Sequence, residues 1–279
     1  MIIDSHVHFG NSPWGNFTPE MLLETLGPDI DYAICSNLEG IDSVDFKPEK
    51  ECNLQMLEVS KKYPKLKPLY VCQPNLTNDI SVAKSILENN PEFIGLKIHP
   101  ECMKLPADSD KYDKYLKLAQ ELKKPCLYHS GHIKSRFSSP LLIYKKAQEY
   151  PDVPIILGHL STGPKQSHIE AIEILLDSIE NSRATLYVDT SWIDFSYETL
   201  NESYEDTLML INALKNTSKG DYTNRILWAT DAMVGAFNHS NESYEKNLEI
   251  FKLRILERFN DEQLLENLLY NNAKNLYLF

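Results

Sequence analysis

The sequence predicts a single α/β domain whose strands and helices form one (β/α)8 barrel, the TIM-barrel fold. Short apolar, β-branched runs alternate with longer segments of helical period along the whole chain of 279 residues. Eight such units, at about 30 residues each, are the number that an eight-stranded barrel needs. The alternative is a doubly wound open sheet, but the first strand ends in Val7-His8-Phe9 rather than in a glycine-rich phosphate-binding turn.

The predicted strands are short and apolar, and several follow a proline or turn residue that ends the preceding helix. Lys124-Pro125 precedes the fifth strand in this way, and Val153-Pro154 precedes the apolar run of the sixth. We place the eight strands at residues 2–9, 31–36, 67–73, 93–99, 125–130, 153–159, 184–190 and 225–231.

The predicted helices fill the segments between the strands and carry apolar residues at helical spacing. In residues 49–62, for example, Leu54, Met56 and Leu57 stand among charged residues. No linker rich in proline, glycine or serine interrupts the pattern, so we expect one domain over residues 1–279. We place the helices at residues 49–62, 78–90, 111–123, 140–149 and 165–180, with a last pair at 241–258 and 261–270.

The composition argues against several classes of function. The chain has 28 Lys+Arg against 40 Asp+Glu and a formal net charge of −12, a balance that disfavours binding to a nucleic-acid backbone. No apolar stretch approaches the roughly 18 residues of a membrane span, and the first six residues lack the features of a signal peptide. We therefore expect a cytoplasmic protein without a membrane partner. The five cysteines never occur in CxxC spacing, which disfavours a disulfide framework and a cysteine-type zinc module.

Polar residues stand at the carboxyl ends of most of the predicted strands. This is where the active site of a β/α barrel lies, because the loops that follow the strands meet at that end. Five of the eight histidines are strand-terminal on this assignment. The residues concerned are His6 and His8 on the first strand, Lys97 and His99 on the fourth, His129 on the fifth, His159 on the sixth and Asp231 on the eighth.

These strand-end residues form a candidate metal site. His6 and His8 are two positions apart, so on a strand both imidazoles face the barrel mouth. Zinc accepts imidazole nitrogen and carboxylate oxygen, and a catalytic site leaves one position open for water. The expected ligands are His6, His8, His129 and Asp231, with His159 as a further ligand or a free base. This donor set suits a borderline divalent metal better than magnesium or calcium.

At these positions the chain resembles the amidohydrolase superfamily, in particular its family-2 branch of metal-dependent hydrolases and decarboxylases, which have TIM-barrel folds. The resemblance covers nearly the whole chain, and its motifs occur in the order typical of the family. In one departure, Ala229-Thr230-Asp231-Ala232 replaces the commoner Gly-Ser-Asp-Tyr ending of the last strand. The matching segments are Ile3-Asp4-Ser5-His6-Val7-His8, Gly95-Leu96-Lys97-Ile98-His99-Pro100, Tyr128-His129-Ser130-Gly131, Leu157-Gly158-His159-Leu160, Ile226-Leu227-Trp228-Ala229-Thr230-Asp231 and Asn272-Ala273-Lys274-Asn275-Leu276.

The resemblance implies a role for each of these positions. His6, His8, His129 and Asp231 correspond to the metal ligands, and His159 either completes the metal site or acts beside it as an acid or base. Lys97 matches a position where some relatives carry a carboxylated lysine that bridges two metals. In this branch that position often binds or polarises substrate instead. We therefore expect one ion, zinc, with manganese or iron as alternatives and a second ion as a further possibility.

A metal-dependent hydrolase is the function that these residues predict. A metal lowers the pKa of a bound water to about 7, and the resulting hydroxide attacks a carbonyl. Asp231 shuttles the proton to the leaving group, while the metal, His159 or Lys97 polarises the carbonyl. The bond cleaved is an amide, cyclic amide, ester or lactone of a small, acidic metabolite. The alternatives are a decarboxylase of an unsaturated or aromatic acid, with His159 as the acid, and a non-catalytic metal-binding or sensor barrel.

Four further residues are candidates for substrate binding. Arg136, in the loop after the fifth strand, would suit a substrate carboxylate. Trp14 and Trp192 could form walls of the pocket, and His99 has either a substrate-binding or a supporting role. A homodimer is possible, but no segment of the sequence identifies an interface.

Overall fold

The computed structural model of the chain describes residues 1–42, 46–77, 79–193, 204–234 and 240–278. Within these residues the strands are β1 (Ile3–Ser12), β2 (Gly15–Phe17), β3 (Tyr32–Asn37), β4 (Leu66–Val71), β5 (Gly95–Ile98), β6 (Cys126–His129), β7 (Ile155–Gly158), β8 (Leu186–Asp189) and β9 (Ile226–Leu227). They form one curled sheet in the order β2-β1-β3-β4-β5-β6-β7-β8-β9. All neighbouring strands are parallel except β2, which pairs antiparallel with β1.

Helices occupy the segments between the parallel strands, as the alternating pattern predicts. The described α-helices are α1 (Pro19–Leu26), α2 (Glu49–Lys62), α3 (Ser81–Asn89), α4 (Pro100–Met103), α5 (Asp113–Leu122), α6 (Pro140–Glu149), α7 (Lys165–Asn181), α8 (Glu205–Lys215), α9 (Asn241–Phe259), α10 (Glu262–Glu266) and α11 (Asn272–Tyr277). A π-helical turn, Asn267–Asn271, joins α10 to α11. The predicted helices at 49–62 and 140–149 are confirmed to the residue.

All eight predicted strands are present, although the last is shortened to Ile226–Leu227. The sequence analysis missed β2, α1 and α4, and it gave no bounds for α8 or α11. β2 is a three-residue strand that folds back on β1, with Ser12 opposite Gly15, and so short a run has no measurable period. A signal for α1 was available, because Thr18 caps the Met21 amide and Pro19 takes the first turn.

Backbone hydrogen bonds join the residues that follow the last strand to the first strand. The Ser5 amide donates to the Trp228 carbonyl (3.1 Å), and the Asp231 amide donates to the His6 carbonyl (2.8 Å). Val7 and Ala232 form an isolated parallel bridge. The two edges of the parallel array therefore come together at the end of the sheet that carries His6 and Asp231.

One end of the curled sheet is filled by an apolar cluster, here called the apolar floor. Its strand residues are Ile3, Ile34, Leu69, Leu127, Ile156 and Leu227, and Tyr270, Ala273 and Tyr277 from the chain's last helical segments pack against them. Each side chain of this size stabilises the fold by about 1.5–3 kcal/mol when it is fully buried. The floor therefore anchors the strands, and the residues further along the same strands lie at the opposite end.

A larger apolar cluster lies between the sheet and the surrounding helices. At the last strand, the Trp228 ring packs edge-on against Tyr244 (centroids 6.2 Å apart) and beside Phe251 (6.1 Å), both on α9.

In the described part of the chain, no helix combines the length and the apolar character that crossing a membrane requires.

Candidate metal centre

His6 and His8 lie on β1 beside a register shift between Asp4 and Val7. Their Nε2 atoms are 3.1 Å apart, and both side chains are buried. On the other side of each ring, His6 Nδ1 is 2.9 Å from Asp189 Oδ2, and His8 Nδ1 is 2.9 Å from Ser36 Oγ. The protein therefore engages both Nδ1 atoms, and the two Nε2 atoms face each other across one point.

Asp231 follows β9 and brings a carboxylate to the same point. Its Oδ1 atom lies 2.9 Å from His8 Nε2 and 3.5 Å from His6 Nε2. The ligand atoms of these three residues all lie within 4.8 Å of one another. Burial opposes ionisation of Asp231, but His6, His159 and His8 hold the pKa of this carboxyl well below its usual range. Asp231 is therefore an anion facing two imidazole nitrogens.

The two oxygens of Asp231 have different surroundings. Oδ2 accepts a hydrogen bond of 2.6 Å from the indole Nε1 of Trp192. Oδ1 is fully buried and has no hydrogen-bond donor. A buried carboxylate oxygen without a donor is costly, so its orientation toward two imidazole nitrogens fits a divalent cation as the missing partner. The residues present therefore fit an ion held by His6, His8 and Asp231, through two nitrogens and one oxygen, a donor set typical of zinc, manganese or iron sites.

His159 borders this group, its ring 5.0 Å from that of His6 and inclined by 25°. Its Nδ1 atom lies 2.8 Å from Ser191 Oγ, and Ser191 Oγ in turn donates to Asp189 Oδ1. Because the Ser191 proton is used on Asp189, Ser191 accepts from His159 Nδ1, and the lone pair of His159 lies on Nε2. Burial lowers the pKa of His159 to about 4. The ring is therefore neutral near pH 7.

Lys97, from β5, also reaches the candidate centre. Its Nζ atom is 2.6 Å from His6 Nε2, and the side chain is buried. Burial lowers the pKa of Lys97 to about 8, although Asp231 and Asp189 favour the charged form. The ammonium therefore stands beside the same nitrogen that an ion would use.

His129 and His99 lie in the same cavity but not in the three-residue group. Their rings stack with centroids 4.0 Å apart and an angle of 10°, and the His129 ring meets that of His159 edge-on at 5.0 Å. Burial lowers the pKa of both imidazoles well below the usual range. In the described residues, His129 does not contribute to a set of ligand atoms within 4.8 Å. Its role as a ligand stays a prediction.

Asp189 is a functional residue that the sequence analysis missed. His6, His159 and Asp189 form a second group of atoms within 4.8 Å of one another. Both Asp189 oxygens, however, are already occupied. Oδ2 pairs with His6 Nδ1, and Oδ1 accepts from the His159 amide (2.9 Å) and from Ser191. Asp189 therefore holds the His6 ring and the His159 backbone in place, as residues behind a candidate metal ligand typically do. The signal was available, because Asp189 ends a predicted strand like the other site residues.

A third group of possible ligand atoms, made only of carboxylates, lies on the protein surface. Asp110, Asp113 and Glu149 bring three oxygens within 4.8 Å of one another, and none of the three is buried. The buried ammonium of Lys146 lies 2.7 Å from Glu149 and 3.0 Å from Asp113. The acids are thus neutralised by the chain's own cation, which leaves no reason to place a metal there.

The candidate centre opens into a cavity of 420 Å³. Trp14 and Trp192 line it, together with Lys97, His99 and Lys104. Arg136 is not among the described lining residues. Its guanidinium is exposed and lies 5.4 Å from the centroid of the Phe137 ring. The structure therefore places Lys97 and Lys104 in the cavity, and Arg136 outside it.

Several known structures share this fold. A candidate 2-pyrone-4,6-dicarboxylic acid hydrolase from Pseudomonas putida has a TM-score of 0.70 and 16% identity, over 99% of this chain and 97% of its own. A 5-carboxyvanillate decarboxylase from Sphingomonas paucimobilis has a TM-score of 0.66 and 12% identity, over 100% and 99%. A second 5-carboxyvanillate decarboxylase, from Novosphingobium aromaticivorans, is complexed with manganese and a nitrobenzoic acid. It has a TM-score of 0.63 and 12% identity, over 100% of this chain and 96% of its own.

A search of curated proteins returned no significant match. A family model described as Amidohydrolase matches residues 3–279, which is almost the whole chain. The resemblance seen in the motifs is therefore confirmed, and the chain belongs to this amidohydrolase family.

Proposed function

We propose that this protein is a metal-dependent hydrolase that cleaves an ester, lactone, amide or cyclic amide of a small metabolite. The observation that carries the proposal is the buried Oδ1 atom of Asp231, which has no donor and faces two imidazole nitrogens. A divalent ion at this point, for which we propose zinc, supplies Lewis acidity and makes a bound water more nucleophilic. We also propose that the sheet closes as a (β/α)8 barrel.

The side chains have separate tasks in this proposal. His6, His8 and Asp231 would hold the ion, and the His159 ring lies against those of His6 and His129 in the same cavity. A carboxylate oxygen has more than one lone pair, so Asp231 Oδ1 can face the ion and also receive the proton of the attacking water. Asp231 then returns that proton to the leaving group. The Lys97 ammonium, inside the cavity, polarises the substrate carbonyl.

Two features favour hydrolysis over decarboxylation with His159 as the acid. The His159 lone pair lies on Nε2, because Nδ1 donates to Ser191. The low pKa of His159, about 4, also means that near pH 7 the ring carries only its Nδ1 proton and has none on Nε2 to give. His159 therefore suits the role of a base or of a further ligand.

A decarboxylase remains the second candidate function because one other group could supply the proton. Lys97, with its pKa lowered to about 8, holds a proton near pH 7 and lines the cavity. Its ammonium could protonate the carbon that loses carbon dioxide. Lys97 and Lys104 are also the cations that could bind a substrate carboxylate, a task predicted for Arg136.

The first test is elemental analysis of the purified protein by inductively coupled plasma mass spectrometry. We expect about one zinc, manganese or iron per chain, as in a mononuclear catalytic site. The His6→Ala/His8→Ala double variant should lose the ion. His132→Ala is the matched control, because this half-exposed histidine lies in the loop after β6 and should leave the metal content unchanged. Absence of metal from the reconstituted wild-type protein would overturn the proposal.

The second test separates the two reactions. The metal-loaded protein is screened against small lactones, amides and aromatic or unsaturated acids in water enriched in oxygen-18. Hydrolysis places one heavy oxygen in the product, whereas decarboxylation releases carbon dioxide and places none. Carbon dioxide release would favour the Lys97 mechanism, and turnover of no substrate class by a metal-loaded protein would favour a binding or sensor role.

A further inference from the structure

Residues 189–192, at the end of β8 and just beyond it, contact the candidate centre from its outer side. Asp189 binds His6, Ser191 binds His159, and Trp192 binds Asp231. We propose that Trp192 is a positioning residue whose indole N–H fixes the Asp231 carboxylate so that Oδ1 faces the ion. This inference rests on the proposed function, since it concerns how the metal ligand is held.

The hydrogen bond makes the two oxygens of Asp231 inequivalent. Trp192 Nε1 donates to Oδ2 over 2.6 Å, while Oδ1 is left without a donor 2.9 Å from His8 Nε2. The last torsion of an aspartate is broad and roughly two-fold, so rotamer preference alone does not decide which oxygen points where. A donor held beside one oxygen determines which way the carboxylate is turned. Trp192 supplies that donor from outside the ligand group.

The imidazoles near the proposed ion are likewise oriented by hydrogen bonds from residues outside the ligand group. Ser36 engages Nδ1 of His8, Asp189 engages Nδ1 of His6, and Ser191 engages Nδ1 of His159. Partners on the outer side of metal ligands fix their orientation, and removing one typically costs 10–100-fold in metal affinity or activity. Trp192 therefore does for Asp231 what Asp189 does for His6.

The backbone holds the Trp192 indole in place. Ser191 is buried, and its amide and hydroxyl both donate to Asp189 Oδ1. Trp192 itself adopts a left-handed conformation, with φ of 60°, which is uncommon for a residue with a bulky side chain. The other cavity tryptophan, Trp14, is 58% exposed, and within the described residues its indole forms no hydrogen bond with Asp231. This difference makes Trp14 a matched control.

The test removes the N–H group while keeping the shape of the ring. At position 192, tryptophan is replaced by β-(3-benzothienyl)alanine, in which sulfur takes the place of the indole N–H. A second variant, with phenylalanine, loses the bicyclic ring as well. Affinity for zinc is measured by competition with a chromophoric chelator. We expect both Trp192 variants to bind zinc 10–100-fold more weakly than the wild type, and Trp14→Phe to bind as tightly as the wild type.

Unchanged zinc affinity in the benzothienylalanine protein would overturn the proposal, because a purely structural role of the ring survives that exchange. A spectroscopic arm needs no metal. In metal-free protein with ¹⁵N-labelled tryptophan, the Trp192 indole signal should shift in Asp231→Ala, whereas the Trp14 signal should not. An unmoved Trp192 signal would also overturn the proposal. A wild-type protein that binds no zinc but shows the shift would refute the metal site while leaving the hydrogen bond established.

Discussion

The two ends of the curled sheet are built from the same strands but have opposite character. On β6, Leu127 belongs to the apolar floor, and two residues later His129 faces the cavity. On β9 the floor residue is Leu227, and Asp231 follows just beyond the end of this strand. Because side chains alternate along a strand, every second residue points inward, and a step of two moves from the floor to the cavity.

The difference lies in which side chains are buried. The floor buries mainly apolar side chains, and its last layer is closed by its neighbours from the final helices and by Tyr277, whose buried hydroxyl has no hydrogen-bond partner among the described residues. The cavity end buries imidazoles and carboxylates whose outer atoms are paired, but it leaves Oδ1 of Asp231 without a donor. The apolar floor and the candidate metal centre thus lie at opposite ends of the same strands, a division that is also typical of β/α barrels. Changes at one end should leave the other intact.

The largest effect is expected from Asp231→Asn at the cavity end. The amide keeps the size of the side chain but cannot act as a base, so kcat on an identified substrate should fall by about 10²–10⁴-fold. Thermal unfolding should show a folded protein, since the apolar floor is untouched. Asp42→Asn is the control, because Asp42 lines the cavity outside the ligand group. Full activity in folded, metal-loaded Asp231→Asn would refute the role of Asp231.

At the opposite end, Leu127→Ala should destabilise the protein without affecting the metal. Leu127 is 1% exposed within the apolar floor, so its truncation leaves a cavity that costs about 2–5 kcal/mol in the free energy of unfolding. Denaturant titration measures this loss, and elemental analysis should still find the wild-type metal content. Leu253→Ala, at a 55% exposed position on α9, should change stability by less than about 0.5 kcal/mol. Metal loss in folded Leu127→Ala would contradict the independence of the two ends.

A third prediction concerns the cation that the cavity end already contains. Lys97 Nζ lies 2.6 Å from His6 Nε2, so its charge opposes a divalent ion at the same nitrogen. Lys97→Met, which keeps the length but not the charge, should bind zinc at least about tenfold more tightly, or about 1.4 kcal/mol. Chelator competition measures this change. Weaker binding, or loss of a second ion, would instead indicate a carboxylated Lys97 that bridges two metals.

The smallest effect is a change in the pH dependence of stability. Burial and the neighbouring His129 and Lys97 lower the pKa of His99 well below 6.5, so the unfolded chain takes up a proton that the native protein does not. This group therefore destabilises the fold as pH falls through 6.5. In His99→Asn, which keeps a cap for the Cys102 amide, the contribution is lost.

Between pH 6.5 and pH 5.5 the wild type should lose about 1 kcal/mol more stability than His99→Asn. Denaturant titrations at the two pH values measure the difference. His132→Asn, at a half-exposed loop position, is the matched substitution for comparison. Equal slopes for His99→Asn and the wild type would show that His99 is not held neutral by its surroundings.

The sequence by itself determined the strand order, the family and the end of the sheet at which the chemistry lies. Alternation of apolar runs with helical segments predicted all eight parallel strands, because both periods are local properties of the chain. The strand-end positions of His6, His8 and Asp231 placed them at one end, since parallel strands share a direction. Short elements such as β2 and α4 escaped prediction, because a run of three or four residues carries no period.

Only the tertiary structure decided which polar atoms meet. Asp189 and Asp231 both end or follow strands, and nothing local distinguishes them. The fold gives each oxygen of Asp189 a hydrogen-bond partner and leaves one oxygen of Asp231 without a partner in the described part of the chain. It likewise brings Lys97 to His6, seats Trp192 on Asp231 and leaves Arg136 outside the cavity. These contacts join residues far apart in the chain, so their geometry depends on how the strands and loops pack and not on any local pattern.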